Sequence, residues 1–187
     1  MLELLNFLNN VHPITPEVQH YLGTILRKKE LRKNQLWLQE GAVCDKIAFI
    51  NTGLVKVYFE TGLKEVCLCY NKENEVIISA HSFFNQLPSH SAIRAVEQTT
   101  VHYITYNELQ KAFGQHVDFN INVRRIWEHC YTIAETHVLL LLQSPRKRFE
   151  AIGKFYPWMV DKSRLTDKML AAYLGITPVT LSNFRNH

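Results

Sequence analysis

Residues 168–185 run Lys168-Met169-Leu170-Ala171-Ala172-Tyr173-Leu174-Gly175-Ile176-Thr177-Pro178-Val179-Thr180-Leu181-Ser182-Asn183-Phe184-Arg185, the spacing of two short helices joined at a tight corner. Leu170 and Leu174 give the first helix an apolar stripe, Ala171 and Ala172 let a second helix approach closely, and Gly175 supplies the left-handed residue that stops it. Ile176 plugs the corner. Thr177 suits the cap of the second helix and Pro178 its first position, where a missing N–H costs nothing. Leu181 and Phe184 continue the buried face. The spacing predicts a helix-turn-helix, whose second helix enters the major groove of double-stranded DNA. An ordinary helical hairpin within an all-α subdomain carries the same local signals.

Charge favours the first reading. Between Ser144 and His187 eight Lys or Arg (Arg146, Lys147, Arg148, Lys154, Lys162, Arg164, Lys168, Arg185) face three acids (Glu150, Asp161, Asp167), a net +5; the whole chain is +4, which leaves −1 for residues 1–143. Positive charge confined to the segment that holds the helix pair is the electrostatic footprint of a phosphate-binding module.

With 187 residues and 47% hydrophobic content, the chain has room for one medium domain and one small one. No apolar run approaches membrane-spanning length, and the first residues lack the basic flank and small-residue cleavage pattern of a signal peptide, so no membrane is involved and a cytoplasmic location is expected. Cys67 and Cys69 would share one face of a strand, but no Cys or His falls at ligand spacing around them. With Cys44 and Cys130 they read as buried apolar thiols rather than a metal or cluster site. Gly-x-Ser-x-Gly elbows, phosphate-binding Gly-rich loops, zinc signatures and paired carboxylates are all missing, so the expectation is a non-enzyme with no catalytic residues, metal or cofactor.

Three zones order the chain. Met1 to about Lys29 is helical in pattern, with Leu4, Leu5 and Leu8 at helical spacing and Thr15-Pro16-Glu17 opening a second helix. From about Glu30 to Tyr106 the period is two. Short runs at 46–50, 55–59, 65–70, 76–78, 93–96 and 101–104 are rich in β-branched and aromatic residues, and Gly- and Asn-containing turns separate them. Evenly spaced short strands read as a sandwich or closed barrel. From about Asn107 helix returns. Phe119, Val123, Ile126, Cys130, Ile133, His137 and Leu140 alternate steps of four and three, a heptad stripe interrupted by one histidine. Either the stripe packs on its own barrel or it pairs with a second chain; Trp127, Ala134, Val138 and Leu141 widen it enough for one helix to do both. The reading favours the dimer, since a helix-turn-helix works as a two-fold pair on adjacent major grooves.

This order of parts resembles the Crp/Fnr family of bacterial transcription regulators over nearly the whole chain. The specific matches are Gln39-Glu40-Gly41, Ile50-Asn51-Thr52-Gly53-Leu54-Val55, Lys64-Glu65 before a strand, and the tail Ala171-Ala172-Tyr173-Leu174-Gly175-Ile176-Thr177-Pro178 with Thr180-Leu181-Ser182, which looks like that of Bacteroidetes-type members. The resemblance implies an α+β chain: a jelly-roll (double-stranded β-helix) barrel of cyclic nucleotide-binding type with N-terminal helices over 1–113, a long dimerisation helix over 114–143, and a helix-turn-helix over 144–187. It implies a homodimer on double-stranded DNA, RNA polymerase as a further partner, and a small-molecule effector of unstated chemistry.

Departures from the family pattern narrow this. Members that bind cyclic AMP carry a Gly-Glu pair before a short helix and an Arg-Ser or Arg-Thr pair after it; the carboxylate takes the ribose hydroxyl and the guanidinium the cyclic phosphate. Ile78-Ser79 and Ser89-His90-Ser91 stand at those places, with Phe83 in the helix between. Neither charge is present, and a buried phosphate without a bidentate Arg loses a strong contact. Arg94 alternates to the opposite strand face from Ile93. The reading is therefore against cyclic AMP. The N-terminal cysteine group that holds an iron–sulfur cluster in other members is also missing.

The reader helix carries Pro178, Val179 and Asn183 where relatives have base-contacting Arg or Glu. Val179 can touch a thymine methyl and Asn183 can pair with adenine. The expected interface puts Arg164, Lys168 and Arg185 on phosphates, and Thr177, Pro178, Val179, Thr180, Ser182 and Asn183 near base edges. With His187 at the end of that helix, no C-terminal wing is expected. The rival is a degenerate regulator that acts through a protein partner: the +5 tail favours DNA, and the neutral reader positions favour the rival.

Overall fold

The computed structural model describes residues 1–62 and 64–186. Two helices open the chain, α1 (Leu2–Val11) and α2 (Pro16–Ile25). The Thr15 hydroxyl accepts the Val18 N–H and caps α2, with Pro16 in its first turn. Leu4 and Leu8 on α1 and Val18 and Leu22 on α2, each pair spaced i, i+4, are the buried positions.

Among the described residues eight strands follow: β1 (Arg27–Leu31), β2 (Leu36–Leu38), β3 (Lys46–Thr52), β4 (Val55–Thr61), β5 (Lys64–Asn71), β6 (Val76–Ile77), β7 (Ala92–Ala95) and β8 (Thr99–Thr105), with helix α3 (Ala80–Asn85) between β6 and β7. They form two four-stranded antiparallel sheets in the orders β1-β8-β3-β6 and β2-β7-β4-β5. Register decides which side chains share a face. Ile47 lies opposite Ile104 and Phe49 opposite His102, so these four share one face, while Ala48, Ile50, Val101 and Tyr103 share the other. The Tyr103 ring meets Trp37 of β2 edge-on at 5.5 Å, which marks the second face as the one turned to the other sheet. The first face lies beneath α1, where Phe7 and Phe49 are 5.1 Å apart. Val55, Val57, Ile93 and Ala95 bring the second sheet into the same apolar core.

The N-terminal helical zone ends at Ile25, not near Lys29 as its pattern suggests: Arg27-Lys28-Lys29-Glu30 belong to β1, an edge strand paired with β8 from Arg27↔Tyr103 to Leu31↔Thr99. Charge on an exposed edge blocks pairing with another chain and erases the two-residue alternation. β2, three residues long with a bulge against β7, is similarly short of pattern. The Cys67–Cys69 expectation is also corrected. Cys69 pairs opposite Val57 and Cys67 opposite Tyr58, with a bulge between, so the two thiols lie on opposite faces. Cys44 and Cys67 are buried, whereas Cys69 and Cys130 are half-buried.

Gly53, in the Asn-Thr-Gly turn, has φ +107°, and a Cβ there would lie 2.6 Å from Thr99 Cα, so no other residue fits. Its N–H donates to Glu73 Oε1 at 2.8 Å. After β8, Thr105 and Glu108 form a capping box on α4 (Tyr106–Gln115). Arg27 donates twice to the same carboxylate, at 2.7 and 2.8 Å, tying β1 to α4. The guanidinium and the Thr105 N–H hold the Glu108 pKa down at about 2.

Helices complete the chain: α5 (Val117–Leu141), α6 (Pro145–Phe155), α7 (Pro157–Val160), α8 (Asp167–Leu174) and α9 (Pro178–Asn186). Two compact units result, Met1–Trp127 and the residues from Glu128 onward, with the boundary inside α5. The second unit has its own core of Leu140, Ile152, Met159, Leu165, Leu170, Leu174 and Leu181. No described helix is long and apolar enough to cross a membrane.

Candidate nucleic-acid interface and sensor pocket

Local chemistry builds the helix pair. The Thr166 hydroxyl accepts the Met169 N–H and starts α8, and Gly175 ends it at φ 63°, ψ 36°. The Ile176 N–H then donates to the Ala171 carbonyl at 3.0 Å, closing the helix end. A Cβ on Gly175 would sit 3.2 Å from Arg148 Nη1, because that guanidinium donates to the Leu174 carbonyl at 2.9 Å. Ala171 is buried at the close approach, but Ala172 is exposed, so one small residue and not two serves the packing. Thr177 caps α9 by accepting the Thr180 N–H at 3.1 Å. Leu181 is fully buried, with Ile176 and Phe184 half-buried around it.

On α9 the residues Pro178, Val179, Ser182 and Asn183 are exposed, and Val179 keeps 71% of its surface open to solvent. They recur at i, i+3 and i+4 and make one uncharged face. Thr177 is exposed beside them. Thr180 is half-buried, its hydroxyl 2.8 Å from that of Thr177, so it supports the cap rather than the face. Lys168 is exposed on α8 and Arg164 half-buried just before it.

Arg185 departs from its expected place on a phosphate. Its Nη2 donates to the Val160 carbonyl at 3.0 Å, its Nε lies 3.1 Å from Asp167 Oδ1, and its side chain is 18% exposed. Asp167 also pairs with Lys162 at 3.1 Å. Arg185 thus joins α9 to α7 and α8, a role with no signal in the sequence because Asp167 and Val160 lie 18 and 25 positions away. Arg148, capping α8, is a second basic residue whose role is structural.

In the barrel the structure brings together Ser79, Ser89 and Ser91 and leaves His90 outside. All three serines are buried. Ser89 Oγ lies 2.8 Å from Ser79 Oγ and 2.7 Å from the Ser91 carbonyl, and it accepts the Ser91 N–H at 3.2 Å. Ser82, fully buried on α3, accepts the Cys44 N–H at 2.8 Å. Sequence reasoning named Ser79, Ser89 and Ser91 but not their mutual pairing, nor Ser82. The cluster satisfies its own hydrogen bonds and carries no charge to meet a phosphate. Phe83 is fully buried and Ile78 half-buried against the core. His90 is exposed, its ring 5.0 Å from His81. Arg94 pairs with Glu65 and lies over the Tyr58 ring at 4.5 Å, on the opposite face from Ile93.

The long helix turns its expected stripe inward. Phe119 and Val123 are buried in the barrel unit's core, and Ile126 packs partly against it. Leu140 is buried in the helical unit, and Cys130, Ile133 and His137 are half-buried. Phe119, Val123 and Leu140 are therefore corrected from dimer contacts to intrachain ones. Apolar groups open to solvent lie on the adjoining stripe, where Tyr131 is 71% and Val138 59% exposed and Ala134 and Leu141 are also exposed, and beside it at Leu139 and Leu142. Among the described residues no three His, Cys, Asp or Glu side chains gather as a metal site.

Residues 28–116 match the family described as cyclic nucleotide-binding domain. FixK2 from Bradyrhizobium japonicum is similar in structure at 21% identity and a TM-score of 0.68, over 87% of this chain and 83% of its own. A CooA mutant from Carboxydothermus hydrogenoformans matches at 18% identity and 0.71, over 99% of this chain and 82% of its own. A transcriptional regulator of the Crp/Fnr family from Eubacterium rectale matches at 9% identity and 0.72, over 97% of this chain and 86% of its own. No curated protein matches the sequence. Residues 28–116 thus match the cyclic nucleotide-binding domain family, and over nearly its whole length the chain has a fold similar to that of the Crp/Fnr family regulator from Eubacterium rectale.

Proposed function

We propose that this chain is a DNA-binding transcription regulator that works as a two-fold dimer and whose barrel does not take cyclic AMP. The observation that carries the reading is the second helix of the pair. It is capped at Thr177, anchored inward by Leu181, and presents Val179, Ser182 and Asn183 outward on one face. Hydroxyl, amide and methyl groups at that spacing can meet base edges, while Lys168 and Arg164 supply charge for phosphate. Likeness to the Eubacterium rectale regulator supports the reading through the fold. Dimerisation would use the exposed stripe Tyr131, Ala134, Val138 and Leu141, spaced three and four apart. The self-paired serines argue against a cyclic phosphate between the sheets.

A second reading, action through a protein partner, draws on one specific observation. Arg185, one basic side chain on α9, is spent on Val160 and Asp167. Binding of duplex DNA measured against salt separates the two. Under the DNA reading, Lys168→Ala flattens the salt slope by about one unit for every sequence, and Asn183→Ala costs about 1–3 kcal/mol on the preferred sequence alone. Under the partner reading neither change has an effect.

A further inference from the structure

His81 stands on α3 and His90 just before β7, both exposed, and their rings lie 5.0 Å apart at 38° to each other. Nine positions apart in sequence, they match no ligand spacing, and only the fold brings them together. The buried serines set the distance. Ser79, two residues before His81, lies 2.8 Å from Ser89, one residue before His90, Oγ to Oγ. The backbone around His90 is fixed as well: the Ser89 N–H donates to the Ala42 carbonyl at 2.9 Å, the Ser89 carbonyl accepts the Gly41 N–H at 2.8 Å, and Ser91 is buried. On α3 the His81 carbonyl accepts a hydrogen bond from Asn85 Nδ2 at 2.8 Å. Among the described residues neither imidazole is hydrogen-bonded or ion-paired, in contrast to His102 and His137, so the ring nitrogens are open to a ligand.

Two imidazoles this close can chelate one cation. With metal–nitrogen bonds of about 2.0–2.1 Å and a square or tetrahedral angle between them, the ring centres fall roughly 4.5–5.2 Å apart, and the 5.0 Å separation lies in that range. Rotation about χ2, which is soft in histidine, turns one nitrogen of each ring to the shared point. We propose that His81 and His90 bind one late first-row divalent cation, of the class of zinc, nickel and copper that prefers imidazole, and not magnesium or calcium, which prefer oxygen. Among the described residues no third His, Cys, Asp or Glu joins the pair, so water completes the coordination and the site is an open one. The ion would tie α3 to the segment before β7 from the solvent side, as the serines do from inside. The proposal concerns the barrel unit alone and does not depend on DNA binding.

Zinc chloride is the first probe, titrated into the full chain with isotopically labelled histidine. The ring Cε1–H signals of His81 and His90 should shift together and saturate at one ion per chain, and magnesium chloride should move neither. His81→Gln and His90→Gln should each weaken zinc binding at least about tenfold in calorimetry, since a single imidazole no longer chelates. One equivalent of copper(II) should give a five-line nitrogen splitting in electron paramagnetic resonance, the mark of two equivalent imidazoles, which falls to three lines in either variant. The zinc titration uses the unmodified protein, so it decides the question even where a variant fails to fold. Absence of saturable shifts, other histidines saturating first, magnesium acting like zinc, an affinity unchanged in both variants, or a five-line splitting that persists in a folded His81→Gln would each overturn the proposal.

Discussion

His137 lies flat against Tyr173, ring centroids 4.2 Å apart and planes within 3° of each other, and this stack joins the second half of α5 to α8. Burial pushes the imidazole pKa below its ordinary 6.5. The unfolded chain therefore takes up this proton more readily than the folded one. The stack's contribution is complete above the unfolded value and shrinks as pH falls through it toward the folded value. The urea midpoint should drop between about pH 7.5 and about pH 5.5, and His137→Phe, which keeps a ring on Tyr173, should show a smaller drop. His102 is lowered by burial too and acts with the same sign, so the difference between the two proteins is the readout. Equal drops would remove His137 from the account.

Arg185 holds the helix pair together, so Arg185→Ala should cost about 1–3 kcal/mol of stability through the lost hydrogen bond to the Val160 carbonyl and the lost ion pair with Asp167. Its effect on the salt slope of DNA binding, measured where the variant is still folded, should be nil. An unchanged urea midpoint with a flattened slope would return Arg185 to the phosphate role that its position in the sequence suggests.

Val138→Asp places a carboxylate on the exposed apolar stripe of α5 and should weaken the proposed dimer by about 2–4 kcal/mol, converting it to monomer in sedimentation at micromolar concentrations. Phe119→Asp should instead unfold the barrel unit, because Phe119 is 5% exposed within its own chain. A Val138→Asp protein that stays dimeric would move the seam elsewhere.

How much of this was legible in the sequence follows from the range of each interaction. Gly175, Thr177 and Thr166 act on groups three or four residues away, so turn and caps could be read from the chain itself. The period of α5 was equally plain, but two adjoining stripes share it, and which one faces inward depends on the sheet and helices it meets. Tertiary packing chose the stripe with Phe119 and Val123. β1 was missed because an edge strand of Arg27-Lys28-Lys29-Glu30 has no apolar alternation to detect. The missing charges at the cyclic phosphate position were visible. That Ser79, Ser89 and Ser91 satisfy one another needed their positions in space.

Calorimetric titration with cyclic AMP and cyclic GMP should give no binding tighter than roughly millimolar. Ser89 is already committed to Ser79 and Ser91, and Arg94, the guanidinium nearest in sequence, is paired with Glu65 over the Tyr58 ring rather than free to meet a phosphate. A micromolar isotherm abolished by a substitution at Ser79 or Ser89 would contradict this.

Sequence-specific DNA binding by α9 is tested by selection of bound duplexes from random DNA with the intact protein. The expected result is an enriched two-fold motif whose half-sites lie about one helical turn apart, with a preference that relaxes at one position in each half when Asn183 is replaced by Ala. Retention of no motif, or of the same motif after residues 166–187 are deleted, would contradict it.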